Sequence, residues 1–203
     1  MTQPWDDSYT RPEPAPWDLG RPQPAFVRLA DAGLLGGRVL DSGCGSGEQT
    51  LLAAEHGADV TGVDIAPTAI ATARSKAAAR AKAAGRELHA SFQVADVLNL
   101  GQLDAVFDTV IDSGVFHVFD DADRPRYVAS LASVLQAGGI CYLMCFSDRQ
   151  PGTWGPRRVT EQELRDAFAA GWTIDSITAD TFDVNPIEGT TVVQAWLAVI
   201  RRT

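Results

Sequence analysis

A chain of 203 residues with 45% apolar composition can bury one good core but is short for two independent ones. Its formal net charge of −9 argues against general nucleic-acid or anionic-membrane partners, because an acidic surface repels their negative charge. The sequence has no apolar run of membrane-spanning length, and its N-terminus does not resemble a secretory signal. We therefore expect a single cytoplasmic domain, monomeric or homodimeric, that acts on a small diffusing molecule.

The N-terminal stretch combines prolines with aromatic residues. Residues 1–24 hold six of the eleven prolines, which excludes regular structure there. Trp5, Tyr9 and Trp17 lie in the same stretch, and disordered segments are usually poor in aromatics. We expect residues 1–24 to form an arm that folds back onto one domain of residues 25–203 and covers its ligand site.

After the arm, short β-rich runs are separated mostly by helical patterns, a spacing typical of βαβ units on a parallel sheet. The first five runs are 38–41, 59–64, 88–94, 106–112 and 139–146. A capping box at 160–163 opens a further helix to about residue 170, and strand-like runs follow at 172–179 and 191–201. We predict a Rossmann-like, doubly wound α/β fold: a mostly parallel sheet with an antiparallel C-terminal edge and helices on both faces.

The cysteines do not suggest a disulfide framework. Cys141 and Cys145 share one apolar run, and in a strand they would lie about 13 Å apart, beyond disulfide reach. With Cys44 as the third cysteine, reduced thiols are expected, as is usual in the cytoplasm.

The first β-rich run leads directly into a glycine-rich turn. The segment Arg38-Val-Leu-Asp-Ser-Gly-Cys-Gly-Ser-Gly47 ends in three glycines at alternate positions, and a helical pattern begins at Glu48. Glycines let the backbone approach a ligand closely, and the N-terminus of the next helix offers unpaired N–H groups. The pattern indicates a site for a nucleotide-type ligand.

Acidic residues stand at or near the ends of three successive predicted strands: Asp41, Asp64 and Asp96. Open α/β sheets bind ligands at this edge, where an acid such as Asp64 can accept both hydrogen bonds of a ribose. NAD-dependent oxidoreductases share that acid, but their fingerprint is G-x-G-x-x-G, whereas this turn reads G-x-G-x-G. A carboxylate beside the turn also suits a cationic ligand and would repel a pyrophosphate.

The segment Asp41-Ser-Gly-Cys-Gly-Ser-Gly47 resembles the first motif of the class I S-adenosylmethionine (SAM) dependent methyltransferases, and the resemblance covers nearly all of the chain. It implies SAM as the cofactor. By this resemblance the methionine part is held by the turn, through Asp41, Gly43, Cys44 and Gly45. The ribose would contact Asp64 and Ile65, and the adenine would contact Asp96 and Val97.

The arm carries a narrower resemblance. Pro16-Trp-Asp-Leu-Gly-Arg-Pro-Gln-Pro24 resembles the N-terminal signature of the thiopurine, thiol and halide methyltransferase group, in which such an arm closes over the cofactor. Trp17 is therefore expected at the cofactor and Tyr9 near the acceptor. The halide and thiol enzymes carry a tyrosine in the loop before their last long helix, where this chain has Thr153-Trp-Gly-Pro-Arg-Arg158. This loop looks closer to relatives that methylate heterocycles or quinolone-like oxygens and nitrogens.

The segment Asp112-Ser-Gly-Val-Phe-His-Val-Phe119 resembles the part of the same group that lies beside the transferable methyl. His117 and Asp112 are the candidate catalytic residues. His117 could take a proton, since the unperturbed pKa of histidine is near 6.5, or could position the acceptor. Asp112 could instead contact the cofactor. We expect the acceptor to be enclosed by Phe116, Trp154, His117, Tyr9, Trp17 and Phe119.

Methyl transfer from a sulfonium mainly requires alignment and exclusion of water, and no metal is expected. We therefore predict a SAM-dependent methyltransferase of a small molecule, such as an aromatic thiol or a hydroxylated or nitrogen heterocycle. A thiol or halide methyltransferase, a noncatalytic SAM-binding module and an NAD-dependent oxidoreductase remain as alternatives.

Overall fold

The computed structural model describes residues 3–203, so the first two residues of the predicted arm lie outside the described residues. Within this range the α-helices are α1 Gln3–Ser8, α2 Pro24–Asp31, α3 Glu48–Glu55, α4 Pro67–Ala84, α5 Asp123–Val134 and α6 Glu161–Ala167. Two 3₁₀ segments are added at Val97–Leu103 and Phe116–Val118. None of the helices in residues 3–203 is both long enough and apolar enough to cross a membrane.

One seven-stranded sheet forms the centre of the molecule. Its strands are β1 Arg38–Ser42, β2 Asp59–Asp64, β3 Ala90–Val94, β4 Phe107–Ser113, β5 Leu135–Phe146, β6 Trp172–Ile187 and β7 Thr190–Arg202. They lie in the order β3-β2-β1-β4-β5-β7-β6, and β7 runs antiparallel to both β5 and β6 while the other neighbours are parallel. The predicted fold class is confirmed. The strand β6 continues eight residues past the predicted end at 179, because it pairs with β7 as far as Ile187 opposite Thr190.

The two faces of the sheet carry separate apolar clusters. Successive strand residues point to opposite faces, so Val110 of β4 belongs to one cluster and Ile111 to the other. The cluster with Ile111 contains residues of α2, α3 and α4, and the cluster with Val110 contains residues of α5 and α6. The helices therefore cover both faces.

The strand order reverses between β1 and β4. From β1 the chain builds outward through β2 to β3, and then it returns to place β4 on the other side of β1. Open α/β sheets bind ligands in the crevice at such a switch point, outside the carboxyl ends of the strands. The strand ends that meet there are Ser42, Asp64, Ser113 and Phe146.

The arm differs in one respect from the expectation of no regular structure, since Gln3–Ser8 forms a short helix. Pro4 is tolerated because it lies in the first turn, where its missing N–H has no intrahelical partner to lose. Asp6 of this helix accepts hydrogen bonds from the backbone N–H of Thr68 at 2.8 Å and from its hydroxyl at 3.1 Å. The N-cap residue of α4, Ala66, makes no side-chain capping bond, so the arm caps this helix.

The rest of the arm is fastened to the antiparallel edge of the sheet. Asn185 of β6 donates through its backbone N–H to Pro16 and through its side chain to the carbonyls of Ala15 and Asp18, at 2.7 to 2.9 Å. The side chain of Gln23 exchanges two hydrogen bonds with the backbone of Asp183. These contacts hold residues 15–23 along the same end of β6 that borders the switch point.

Candidate functional site

A cavity of about 790 Å³ lies at the carboxyl edge of the sheet. Its walls come from the ends of β2, β4 and β5, from the glycine-rich turn after β1, from β6 and from the arm. This volume falls in the upper part of the range of small-molecule sites, roughly 300–1,000 Å³. The cavity has room for a nucleoside-sized ligand and a small second molecule.

The glycine-rich turn forms the floor of the cavity. Gly43 has a φ of 73° and Gly45 a φ of 53°, a backbone region that other residues rarely adopt. A Cβ at Gly43 would collide with Val115, and one at Gly45 would lie 2.7 Å from the hydroxyl of Tyr9. The absence of side chains at these two positions therefore lets the turn close against both neighbours.

Asp64 and Asp41 have different surroundings, although the sequence places both beside the turn. Asp64 lines the cavity, and its carboxylate accepts the N–H groups of Gly45 and Ala66, each at 2.9 Å. Asp41 does not line the cavity; it is 1% exposed and accepts the hydroxyl of Thr50 at 2.6 Å. Burial raises the pKa of Asp64 and raises that of Asp41 to about 7, while the hydrogen bonds to each carboxylate oppose the shift.

Four more residues that follow the strands and were expected at the cofactor border the cavity: Cys44, Ile65, Asp96 and Val97. Asp96 also caps the following 3₁₀ segment, because it accepts the backbone N–H of Leu98 at 2.9 Å. Burial raises the pKa of the Cys44 thiol well above its usual value, so it remains protonated at neutral pH.

Three arm aromatics and one acid lie over the turn. Trp5, Tyr9 and Trp17 all border the cavity, and the indole N–H of Trp17 donates to the Tyr9 hydroxyl at 2.9 Å. Asp18 accepts the hydroxyl of Ser46, a residue of the turn, at 2.5 Å. The arm is thus bonded directly to the loop that forms the floor.

Ser46 continues into an ion-pair group on α3 and α4. Its hydroxyl accepts from Lys76 at 2.6 Å, and Lys76 also pairs with the buried Glu48 at 2.8 Å. Arg80 makes a second ion pair with Glu48. The basic residues of α4 therefore stabilise the start of α3 beside the turn.

The opposite wall is apolar and aromatic. Phe146 ends β5, Phe182 and Val184 point inward from β6, and Phe119 follows the 3₁₀ segment Phe116–Val118. The His117 ring packs edge-to-face on Phe146, with ring centroids 4.9 Å apart. A flat acceptor placed here would contact rings on several sides.

The protonation of His117 is fixed by one hydrogen bond. The backbone N–H of Phe146 donates to Nδ1 of His117 at 2.9 Å, so Nδ1 carries no proton and the neutral ring carries it on Nε2. Burial, aided by the charge of Arg158, lowers the pKa of His117 to about 3. Among residues 3–203 the Nε2 atom has no hydrogen-bond partner, and the ring borders the cavity. This histidine presents an N–H donor.

Besides Asp41, three more of the expected site residues do not line the cavity. Asp112 is fully buried and accepts the N–H groups of Val115 and Phe116, and burial raises its pKa to about 7. Phe116 points away into the core of the other face, where its ring packs against Phe168. Trp154 lies behind Phe146, with ring centroids 6.3 Å apart. In this geometry these three side chains therefore do not contact a bound acceptor or cofactor.

The loop before α6 does reach the cavity, through other residues. Gly155, Pro156 and Arg157 border it. Arg157 pairs with Asp121 at 2.5 Å and also with Glu163 of α6. Burial opposes the ionisation of Glu163, but hydrogen bonds from Thr160 and Arg157 lower its pKa to about 2. The loop is held against the acceptor wall by these ion pairs.

Several lining residues were not foreseen from the sequence, among them Phe146, Phe182, Val184, Ser113 and Gln49. The position of Phe146 at the end of a predicted strand was an available signal, because strand ends gather at this edge. Phe182 and Val184 carried none, since they lie beyond the predicted end of β6. Ser113 and Gln49 are hydrogen-bonded to each other at 2.8 Å, a contact that no local pattern indicates.

The side chains that line the cavity fit SAM. The cavity offers carboxylates at Asp18, Asp64 and Asp96, which suit a cation that also carries ribose hydroxyls and an adenine amino group. Ile65 and Val97 provide apolar surface for a purine ring. The side-chain-free turn at Gly43 to Gly45 leaves space for the amino-acid portion.

Comparison with known proteins gives the same family. Residues 39–139 match the family model described as "Methyltransferase domain". The chain is 38% identical over 165 residues to a 2-heptyl-1-hydroxyquinolin-4(1H)-one methyltransferase of Mycobacteroides abscessus, covering 80% of this chain and 70% of that protein. It is 27% identical over 183 residues to probable thiol methyltransferase 2 of Arabidopsis thaliana, covering 89% and 79% respectively.

A solved structure is similar to this chain over its full length. It comes from work on the conversion of a disulfide bond into a thioacetal group during echinomycin biosynthesis. It matches with a TM-score of 0.86 and 39% identity, and the match covers 100% of this chain and 93% of that one. The glycine-rich turn, the strand order and these similarities together show that the chain belongs to the class I SAM-dependent methyltransferases and that its cofactor is SAM.

Proposed function

We propose that this enzyme methylates a flat aromatic small molecule that arrives already ionised or with a free lone pair, such as a hydroxylated or nitrogen heterocycle or an aromatic thiol. The observation that carries this proposal is the hydrogen bond from the Phe146 N–H to Nδ1 of His117. It leaves the only histidine on the cavity wall, within residues 3–203, as a donor. A site whose histidine is a donor and not a base favours acceptors that need no deprotonation.

In this reaction the acceptor lone pair forms a bond to the methyl carbon of SAM while the carbon–sulfonium bond breaks and its electron pair stays on sulfur. The residues of the chain hold the two reactants in line and exclude water. The Nε2–H of His117 donates to an oxygen, nitrogen or sulfur atom of the acceptor and so fixes its orientation. Asp112 supports this wall from behind, through the N–H groups of Val115 and Phe116.

The acceptor wall supports a planar ring system. Phe119, Phe146 and Phe182 contribute aromatic faces and edges, and Val118 is 39% exposed where it borders the cavity. Aromatic contacts add to the burial of apolar area, whereas a halide or a short alcohol would gain little from either. This favours flat acceptors over thiocyanate, iodide and aliphatic alcohols.

The residues that line the cavity support the following roles toward the cofactor. Asp64 accepts from the ribose hydroxyls, Asp96 from the adenine amino group, and the turn from Gly43 to Gly45 accommodates the methionine part. Trp17 and Tyr9 cover this side as part of the arm. Because Asp41 is buried outside the cavity, it supports the turn through Thr50.

The relative from Mycobacteroides abscessus supports the acceptor class, since that protein is a methyltransferase of a hydroxyquinolinone. The test is a screen of acceptors with labelled SAM. It includes 2-heptyl-1-hydroxyquinolin-4(1H)-one, thiophenol, hydroxypyridines, iodide and aliphatic alcohols. We expect the aromatic acceptors to give the highest kcat/KM. Preference for iodide over every aromatic acceptor would contradict the proposal.

A second candidate acceptor is a disulfide sulfur, favoured by the full-length similarity to the structure from the study of disulfide conversion. A neutral sulfur carries a lone pair and also needs no base. A cyclic disulfide in the same screen separates the two candidates, because its methylation in preference to the heterocycles would favour sulfur.

A further inference from the structure

A buried tyrosine lies behind the cavity wall, and no sequence motif points to it. Tyr127 of α5 is 0% exposed. Its hydroxyl donates to Oδ2 of Asp112 at 3.0 Å and lies 3.0 Å from the hydroxyl of Ser42. Because the tyrosine proton is given to Asp112, Ser42 is the donor to Tyr127.

Each of these partners leads to a different part of the site. Ser42 is the last residue of β1 and precedes the glycine-rich turn directly. The Tyr127 ring packs against Phe119, with centroids 4.9 Å apart, and Phe119 borders the cavity. The tyrosine therefore contacts both the cofactor side and the acceptor side.

The contact with Asp112 connects Tyr127 to the segment that carries His117. Asp112 accepts the N–H of Val115 at 2.7 Å and that of Phe116 at 3.1 Å, and these residues begin the segment that carries His117. Val115 also lies where a Cβ at Gly43 would be, so this segment and the turn are in direct contact.

We propose that Tyr127 is a positioning residue for methyl transfer: its hydroxyl fixes the glycine-rich turn and the His117 segment relative to each other. In-line displacement is sensitive to misplacements of about 1 Å, so a link between the two loops affects the chemical step. Tyr127 touches neither reactant and acts through Ser42 and Asp112.

The link depends on the ionised form of Asp112, which can accept from all three donors at once. The titratable groups that face this carboxyl are Asp41 on β1, Cys141 and Cys145 on β5, and Tyr127 on α5. Burial raises the pKa of Asp112, and the Tyr127 hydroxyl is one of the groups that hold it down. Removing that hydroxyl raises the pKa of Asp112 further.

The first test is Tyr127→Phe, assayed with labelled SAM and 2-heptyl-1-hydroxyquinolin-4(1H)-one. We expect kcat to fall about tenfold, since one buried hydrogen bond to a charged group is lost, and the acidic limb of the pH profile to move to higher pH. Tyr142→Phe is the matched control, because it removes the same hydroxyl from a buried tyrosine of β5 that does not border the cavity. A lowered Tm with an unmoved acidic limb would show a structural role only.

The second test needs no acceptor, so it separates this inference from the proposed function on which the first assay rests. In the wild-type protein labelled with ¹⁵N, the amide resonances of Val115 and Phe116 should titrate together with a midpoint near the Asp112 pKa of about 7. In Tyr127→Phe the midpoint should rise. An unchanged midpoint would overturn the assignment of Tyr127, whereas failure to methylate the quinolone would count only against the acceptor.

Discussion

The backbone N–H of Phe146 donates to Nδ1 of His117, and the two rings also meet edge-to-face. The contact joins the end of β5 to the 3₁₀ segment after β4, so the imidazole is held in one tautomer by a neighbouring strand. A base would need a free nitrogen lone pair toward the acceptor, and the orientation leaves an N–H there instead.

His117→Phe should therefore reduce kcat/KM by a similar factor, about 10- to 100-fold, for all acceptors of one shape. A lost donor affects preionised and protonated acceptors alike, whereas a lost base would affect mainly those whose pKa lies above the assay pH. The measurement is kcat/KM across substituted hydroxyquinolines of graded pKa. The exposed His89 provides a control as His89→Gln. A loss that grows steadily with acceptor pKa would instead show that His117 acts as a general base.

The sequence located more of the lining residues on the side proposed for the cofactor than on the acceptor side, and the reason is physical. The residues Gly43, Asp64 and Asp96 lie at the end of a strand or within two residues of it, so local spacing determines where they lie. Phe182 reaches the cavity only because β6 pairs with β7 across the sheet edge, and Tyr127 only because α5 packs behind β4. Such contacts join distant parts of the chain, and no local pattern encodes them.

Asp64 offers a direct test of the cofactor side. Asp64→Asn should weaken SAM binding at least tenfold, about 1.4 kcal/mol, because the ribose loses a charged acceptor and the amide cannot also accept from Gly45 and Ala66 as the carboxylate does. Isothermal titration calorimetry with SAM measures it. Asp59→Asn at the exposed opposite end of β2 is the matched control. Equal affinity of a folded Asp64→Asn variant would refute the ribose role.

The arm can be tested at its contact with α4. Asp6→Ala removes the two bonds to Thr68 and leaves the helix N-terminus uncapped, so we expect a loss of about 1 kcal/mol in stability. The detached α1 should also loosen Trp5 over the cavity and weaken SAM affinity. Asp7→Ala on the exposed side of the same helix should change neither. Tryptophan fluorescence measures the stability during thermal unfolding and the affinity during SAM titration, and identical titration curves for the two variants would contradict a covering arm.

The buried Asp41 predicts how stability depends on pH. Its pKa in the folded protein is about 7, raised from 3.8 by burial, so the folded state keeps a proton that the unfolded state releases. The contribution of this carboxyl to stability is therefore greatest below pH 4, falls as the pH rises toward 7 and is constant above that, a change on the order of 4 kcal/mol.

Asp41→Asn removes this titration. Its amide adds a buried N–H₂ group whose cost does not depend on pH, so only the change with pH is informative. In the cofactor-free protein we expect the Tm of the variant, relative to wild type, to increase from pH 5 to about pH 7 and to level off by pH 8. Because the pKa of His117 is lowered, its contribution to protein stability increases as the pH rises through the acidic range. His117 is present in both proteins, so this contribution cancels in the difference. Differential scanning calorimetry at four pH values, with Asp59→Asn as the exposed control, gives the comparison. A Tm difference that is the same at pH 5 and pH 8 would mean that Asp41 is ionised throughout this range in the folded protein.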